Sequence, residues 1–176
     1  PSHVSFLLFT QQALQNMQGL LRKEEERDMR WRAADADAYL QSADYIDTAV
    51  IPLISITSSG GLKEAVEQGE STQLLSEELE RQLKGRVYLF PSYTYVDIDQ
   101  SQIALLQKLK EEVMTNFRHA LFLTADEKWK DSEIGSDVIY IPAVPFEHMK
   151  DSLKRKIADD KCGEILNVLL QKWNNS

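Results

Sequence analysis

The stretch YIDTAVIPLISI, residues 45–56, decides the fold class because it is the most strand-like run in the chain. Its β-branched and apolar residues are those that strands favour. Pro52 interrupts the run, and proline, which has no backbone N–H to donate, is confined to edge strands, strand ends and bulges. We therefore expect this first strand either to lie at a sheet edge or to bulge at Pro52, which would redirect Ser55 and Thr57.

Three more apolar runs follow along the chain, separated by helical sequence or polar loops. Strands that are apolar throughout are typical of parallel sheets covered on both faces, and their alternation with helices indicates an α/β fold. We predict a three-layer α/β sandwich with a largely parallel sheet of four or five strands and helices on both faces. The strand cores are AVIPLI, VYLF, ALFL and VIYI, within residues 49–54, 87–90, 120–123 and 138–141.

The helical segments carry recognisable start signals. Ser71 or Thr72 is expected to cap a helix in STQLLSEELERQLKG, preceded by a weaker helix in LKEAVEQ. Asp99 and Gln102 have the spacing of a capping box ahead of a periodic apolar face. The chain closes with helical sequence over residues 146–173, for which we expect a break near DDKCGE.

The bulk composition narrows the class of function. A chain of 176 residues suits one domain, and its 20 Lys+Arg against 28 Asp+Glu give a net charge of -8, which argues against a nucleic-acid binder. No run approaches the about 20 apolar residues that a membrane helix needs, so we expect no membrane insertion. The single cysteine, Cys162, rules out an internal disulfide, which fits a cytoplasmic location.

Residues 1–28 differ from the rest of the chain. They combine helical apolar spacing with a charge block, RKEEERD, directly ahead of Met29. Our hypothesis is that 1–28 is an N-terminal helical extension upstream of the natural start, since RKEEE can be encoded by a purine-rich stretch resembling a ribosome-binding site. The alternative is a genuine N-terminal helix that packs on the domain. Residues 29–176 are predicted to form a single α/β domain.

Standard signatures of phosphate, metal and nucleophile sites do not occur. The chain has no P-loop, no G-x-G-x-x-G, no H-E-x-x-H and no G-x-S-x-G. The nearest approach to a phosphate loop is TSSGGLK, residues 57–63, which we interpret as an ordinary turn before a helix, with an anion site as the alternative. The three histidines, at positions 3, 119 and 148, lack metal-ligand spacing. The sequence predicts no cofactor and no metal site.

Prolines follow apolar runs at positions 52, 91 and 142, and polar residues come after them. In a parallel sheet the carboxyl ends of the strands meet at one edge, where open α/β folds bind ligands. Polar loops at that edge are also what solvent exposure alone would produce. The candidate ligand-binding residues are Ser55, Ser92, Tyr93, Thr94, Tyr95, Thr124 and Glu147, and the candidate acid/base residues are Asp126 and His148.

Four segments resemble the YpiF-like family of Bacillus-type, low-GC Gram-positive proteins. They are MRW at 29–31, YIDTAVIPL at 45–53, LLSEELERQLKGRVYLFPSYTY at 74–95 and ALFLTAD at 120–126. The resemblance covers most of residues 29–176 and leaves out 1–28. It implies a cytoplasmic bacterial protein, and it supplies no activity, cofactor or catalytic residue.

Two classes of function follow from these observations. We favour a regulatory or accessory module that binds a partner protein or a small ligand. The tyrosine-rich YLFPSYTYV is a candidate contact surface for a partner. The alternative is a small-molecule hydrolase or transferase acting at the carboxyl edge of the sheet. Convergence of Tyr93, Tyr95, Asp126 and His148 in one concave pocket would favour a ligand or substrate site.

Overall fold

The elements of the protein alternate between strands and helices, as the apolar runs predict. The structure is a computed structural model that describes residues 29–134 and 137–174. The helices are α1 (Ala33–Ser42), α2 (Leu62–Gln82), α3 (Gln100–Val113) and α4 (Asp151–Asn174), with a 3-10 turn at Glu127–Trp129. The strands are β1 (Thr48–Ser55), β2 (Val87–Leu89), β3 (Tyr93–Tyr95), β4 (His119–Thr124) and β5 (Val138–Tyr140).

All paired strands are parallel, and their order is β2-β1-β4-β5. The short β3 continues the edge begun by β2 and pairs with the second half of β1. Side chains of β1 point alternately to two separate cores, with Val50 in one and Ile51 in the other. Helices α2 and α4 pack on the Val50 face, and α1 and α3 on the Ile51 face. The predicted α/β sandwich with a parallel five-stranded sheet is confirmed.

The first strand is central, so the prediction that β1 lies at a sheet edge or bulges at Pro52 was wrong. β1 pairs with β2 and β3 on one side and with β4 on the other. Its register with β4 is constant from Thr48 to Pro52, which lies opposite Leu123. β1 itself therefore runs through the proline as a regular strand.

The irregularity lies in the neighbouring edge instead. Val50 lies opposite Leu89 and Leu53 opposite Tyr93, so three steps along β1 correspond to four along the neighbour. The extra residue falls within 90–92, between β2 and β3. A β-bulge opposite the proline, and not at it, interrupts the ladder.

The nitrogen of Pro52 faces this interruption. The Val50 carbonyl accepts a hydrogen bond from the Phe90 N–H at 2.9 Å, and backbone groups two residues apart in a strand face the same neighbour. The nitrogen of Pro52, two residues after Val50, therefore faces residues 90–92, which lie outside the paired register of β1 with β2 and β3. A central strand accommodates the proline because the ladder on that side is broken.

Two helix predictions need correction and one is confirmed. Ser71 and Thr72 do not cap a helix, because α2 is one continuous helix of 21 residues in which both are buried. Likewise, α4 continues through DDKCGE without a break. At α3, Asp99 caps the helix as predicted, and its side chain accepts the Gln102 N–H at 2.9 Å.

The hypothesis about residues 1–28 falls outside the described part of the chain. Among the residues that are described, no helix is long and apolar enough to cross a membrane.

Candidate functional site

The strand order creates a crevice at the carboxyl edge of the sheet. From β1 the chain turns through α2 to β2 on one side, and it later crosses to β4 on the other side of β1. The connections that leave β1 and β4 therefore run in opposite directions. The gap between the carboxyl ends of these two strands is the topological switch point, where open α/β sheets bind ligands. A cavity of about 820 Å³ lies there. We call it the switch-point cleft.

Five segments line the switch-point cleft, and each follows a strand or begins a helix. They are the end of β1 with the loop after it, the first two turns of α2, and the segments at or after the ends of β3, β4 and β5. The lining residues are 55–57, 59–61, 64, 65, 67, 68, 96, 97, 125–128, 140 and 143.

The loop after β1 reaches α2 through a glycine in the left-handed region. Gly61 has φ of 93°, a conformation that side-chain-bearing residues rarely adopt, and it begins the helix without a side-chain cap. Before it, the Thr57 hydroxyl accepts the Ser59 N–H at 3.3 Å. The TSSGG segment thus forms a tight turn that brings the start of α2 against the cleft.

At the base of the cleft, Asp126 is buried and held from two directions. Its Oδ2 accepts a hydrogen bond from the Tyr95 hydroxyl at 2.8 Å, and its Oδ1 accepts the Lys128 N–H at 3.1 Å. Burial raises the pKa of Tyr95, and the hydrogen bond to Asp126 raises it further. The phenol therefore stays protonated at neutral pH and acts as a donor to the carboxylate.

Trp129 is fully buried behind this pair. Its ring meets the Tyr95 ring edge-on, with centroids 5.2 Å apart. Its indole N–H finds no hydrogen-bond partner among the residues that the structure describes. The aromatic contact fixes the orientation of the Tyr95 ring.

Hydroxyls on α2 hold the segments that follow β4 and β5. The Thr72 hydroxyl accepts the Ala125 N–H at 3.0 Å while donating to the Gln68 carbonyl at 2.8 Å. The Ser71 hydroxyl accepts the Val144 N–H at 3.1 Å. The Ala125 N–H bond is buried and the Val144 N–H bond is partly buried, and together they hold these two segments against α2.

Four of the predicted residues lie at or beneath the cleft. Ser55 and Asp126 line it, and Tyr95 bonds to Asp126. Thr124 is buried below: its hydroxyl donates to the Leu53 carbonyl at 3.1 Å and accepts the Asp126 N–H at 3.1 Å. Thr124 therefore positions Asp126 without reaching the cavity.

The other five predicted residues do not join them. The Ser92 hydroxyl bonds to Gln73 on α2, the Tyr93 hydroxyl bonds to Gln102 on α3, and Thr94 is exposed. Glu147 lies 3.5 Å from Lys63, and the side chain of His148 is 89% exposed. Tyr95 and Asp126 thus converge, whereas Tyr93 and His148 do not.

The sequence reasoning missed four acidic residues in the lining: Glu64, Glu67, Asp97 and Glu127. Glu64 and Glu67 occupy the first two turns of α2, where an i, i+3 pair of acids shares a face. That spacing in LKEAVEQ was the available signal. Within residues 29–134 and 137–174, no group of three or more His, Cys, Asp or Glu side chains is placed to hold a metal ion.

Comparisons with known proteins agree with the resemblance that the sequence carries. The chain is 58% identical over 146 residues to the protein named "Uncharacterized protein YpiF" of Bacillus subtilis (strain 168), an alignment that covers 83% of this chain and 99% of the relative. No solved structure gives a significant match. Residues 37–173 match the family described as "Protein of unknown function (DUF2487)". The chain therefore belongs to the DUF2487 family.

Proposed function

We propose that the protein is a cytoplasmic regulatory or accessory domain that binds a small molecule in the switch-point cleft. The observation that carries the proposal is the cavity of about 820 Å³ at the carboxyl ends of β1 and β4. Ligands of open α/β folds bind at this place, and pockets for small molecules have volumes of about 300–1,000 Å³.

The rigidity of the walls supports a binding role. Thr72 and Ser71 hold the segments after β4 and β5 through hydrogen bonds to their backbone N–H groups, and Tyr95 holds Asp126 at the base. A cleft whose walls are already fixed loses little conformational entropy when a ligand enters.

A hydrolase or transferase is the alternative, and Asp126 is its acid/base candidate because it lines the cleft. Both of its carboxylate oxygens already accept hydrogen bonds, from Tyr95 and from the Lys128 N–H. His148, the other candidate, lies outside the lining. A general base must lie within hydrogen-bond reach of the proton that it abstracts, and both oxygens of Asp126 are already engaged by groups of the protein, so we favour binding over catalysis.

Native mass spectrometry of the protein purified from its own host tests this proposal. We expect a bound small molecule whose added mass disappears on denaturation. A larger added mass would instead indicate a partner protein. Only the bare chain, in repeated preparations under gentle conditions, would contradict the proposal.

A variant that fills the cleft tests whether the bound molecule lies there. Gly60 lines the cleft, and a Cβ built there meets nothing within 4 Å, so Gly60→Trp adds bulk to the cavity without a backbone clash. Ala104→Trp, on the exposed side of α3, is the matched control. We expect the bound mass to be lost in Gly60→Trp alone, and retention in both variants would place the ligand elsewhere.

A further inference from the structure

The switch-point cleft has a strong excess of negative charge. Five carboxylates and one ammonium group line it, a formal charge of -4 in one cavity. A cleft lined by charge of one sign attracts ligands of the opposite charge and repels those of the same charge. The charged lining residues are Glu64, Glu67, Asp97, Asp126, Glu127 and Lys128.

The fold neutralises this charge only in part. Lys63 lies 3.7 Å from Glu67, and Lys130 lies 3.8 Å from Glu127, but in each pair at least one side chain is exposed, and such pairs contribute little. Asp97 makes no hydrogen bond or ion pair with any residue that the structure describes. Its carboxylate remains available to a ligand.

Apolar side chains lie in the same cavity as the acids. Ile56 is 51% exposed and Val96 is 69% exposed, and both are in the lining. Large apolar residues left open to solvent inside a cavity gain free energy when a carbon skeleton covers them. A bare metal ion would leave them uncovered, and so would a fully polar anion.

We propose that the ligand of the switch-point cleft is a small organic cation, an amine carried on a short apolar chain. This inference rests on the proposed function and specifies its ligand class. The ammonium group lies among the carboxylates of Asp97, Asp126 and Glu127, and the carbon chain covers Ile56 and Val96. The site thus matches one ligand class through two independent properties, charge and apolar surface.

Three four-carbon probes of different charge test the inference: 1,4-diaminobutane, 1,4-butanediol and succinate. Each is titrated into the uniformly ¹⁵N-labelled full chain, and the backbone amide shifts are followed. We expect saturable shifts in residues 56–61, 96–97 and 125–128 with the diamine. The diol should bind about tenfold more weakly or worse, and succinate should give no saturable shift there.

Removing two carboxylates tests whether local charge is responsible. Asp97→Asn combined with Glu127→Gln should weaken diamine binding about tenfold or more. The matched control, Asp160→Asn combined with Glu111→Gln, removes one Asp and one Glu from exposed positions outside the cleft and should leave the affinity within about twofold. Equal weakening in both double variants would overturn a local site.

The outcomes separate this inference from the proposed function. Absence of saturable cleft shifts with the diamine overturns the cation class, and so does equal binding of the diol. Saturable shifts in the cleft with succinate alone overturn it as well, while leaving a small-molecule site in place. Whether the proposed function itself stands is decided separately by the mass of the molecule that co-purifies from the host.

Discussion

The Tyr95 hydroxyl donates a hydrogen bond to Asp126 Oδ2 at 2.8 Å, and this bond joins β3 to the segment after β4 beneath the switch-point cleft. The two residues are 31 positions apart in the chain, and both are buried. A carboxylate at the base of a cleft is stable there only while donors satisfy its oxygens. Tyr95 therefore supports the site without lining it.

Tyr95→Phe should destabilise the protein by about 2 kcal/mol. The substitution keeps the ring against Trp129 but leaves a buried carboxylate oxygen without its donor, and hydrogen bonds to charged groups contribute about 1.5–3 kcal/mol. Urea unfolding measures the loss. Tyr93→Phe is the control, since it removes a 2.8 Å bond to the neutral amide of Gln102 in a less buried place. A loss in the control as large as that in Tyr95→Phe would contradict this account.

Stability should fall steeply in alkaline solution, and part of that fall should belong to Tyr95. Burial raises its folded pKa above the unfolded value of about 10, so the unfolded chain loses the proton first as pH rises. Stability present below about pH 10 is then lost at up to about 1.4 kcal/mol per pH unit for each such group.

The urea midpoints of the parent chain and Tyr95→Phe, compared at about pH 9 and about pH 11, measure this share. The gap between them should narrow or reverse at the higher pH. Tyr45→Phe, at a side chain that is 78% exposed, is the control for the loss of a tyrosine outside the core. A constant gap between the parent and Tyr95→Phe would show that the phenol does not titrate differently in the two states.

The fold was predictable because parallel strands buried on both faces need apolar runs, and helices must cover them. The place of Pro52 in a central, regular strand could not be predicted from the sequence. Proline excludes one hydrogen bond, but the sequence of β1 does not show that the neighbouring edge carries an extra residue opposite it. The constraint on Pro52 lies about forty residues downstream, in the segment 90–92.

Ser71 and Thr72 illustrate a second limit of prediction from the sequence. Small hydroxyl residues cap helices, but inside a helix they can also bond to the carbonyl four residues earlier, as Thr72 does with Gln68. Local sequence does not distinguish the two roles. Similarly, the strand-end rule correctly placed Ser55 and Asp126 beside the cleft, whereas Asp97 joins them only because β3 flanks β1.

Thr72→Val should loosen the segment after β4. The substitution preserves shape but removes the acceptor of the buried Ala125 N–H, which costs about 1–3 kcal/mol. Amide hydrogen exchange should show the Ala125 amide exchanging faster. Thr72→Ser keeps the hydroxyl and should keep the protection of that amide. Equal protection in the valine and serine variants would mean that the hydroxyl does not hold the segment.

Gly163→Ala should stabilise the protein, and Gly69→Ala should do so less. Both glycines lie inside helices, where replacement by alanine gains about 0.5–1 kcal/mol when space permits. A Cβ at Gly163 meets nothing within 4 Å, whereas one at Gly69 lies 3.1 Å from Ile54 Cγ2. Thermal unfolding measures the stability of the two variants. Equal gains in stability would show that the Ile54 side chain moves away from the new Cβ without an energetic penalty.

Glu80 should be the most important acidic residue of α2 for stability. It is fully buried, and it accepts the Met29 N–H at 2.7 Å and the Arg30 Nε at 3.2 Å, which fastens the segment that pairs with β2. Glu80→Ala should cost about 2–3 kcal/mol, since it removes the acceptor of the buried Met29 N–H and one acceptor of the half-buried Arg30 guanidinium.

Glu77→Ala provides the matched control for that substitution. Glu77 lies on the same helix and approaches the same Arg30 at 3.9 Å, but its side chain is 44% exposed, so its loss should cost below about 1 kcal/mol. Urea unfolding of both variants measures the difference, and the helix propensity gained from alanine is the same in each. Comparable losses would show that burial does not set the strength of the Glu80 contacts.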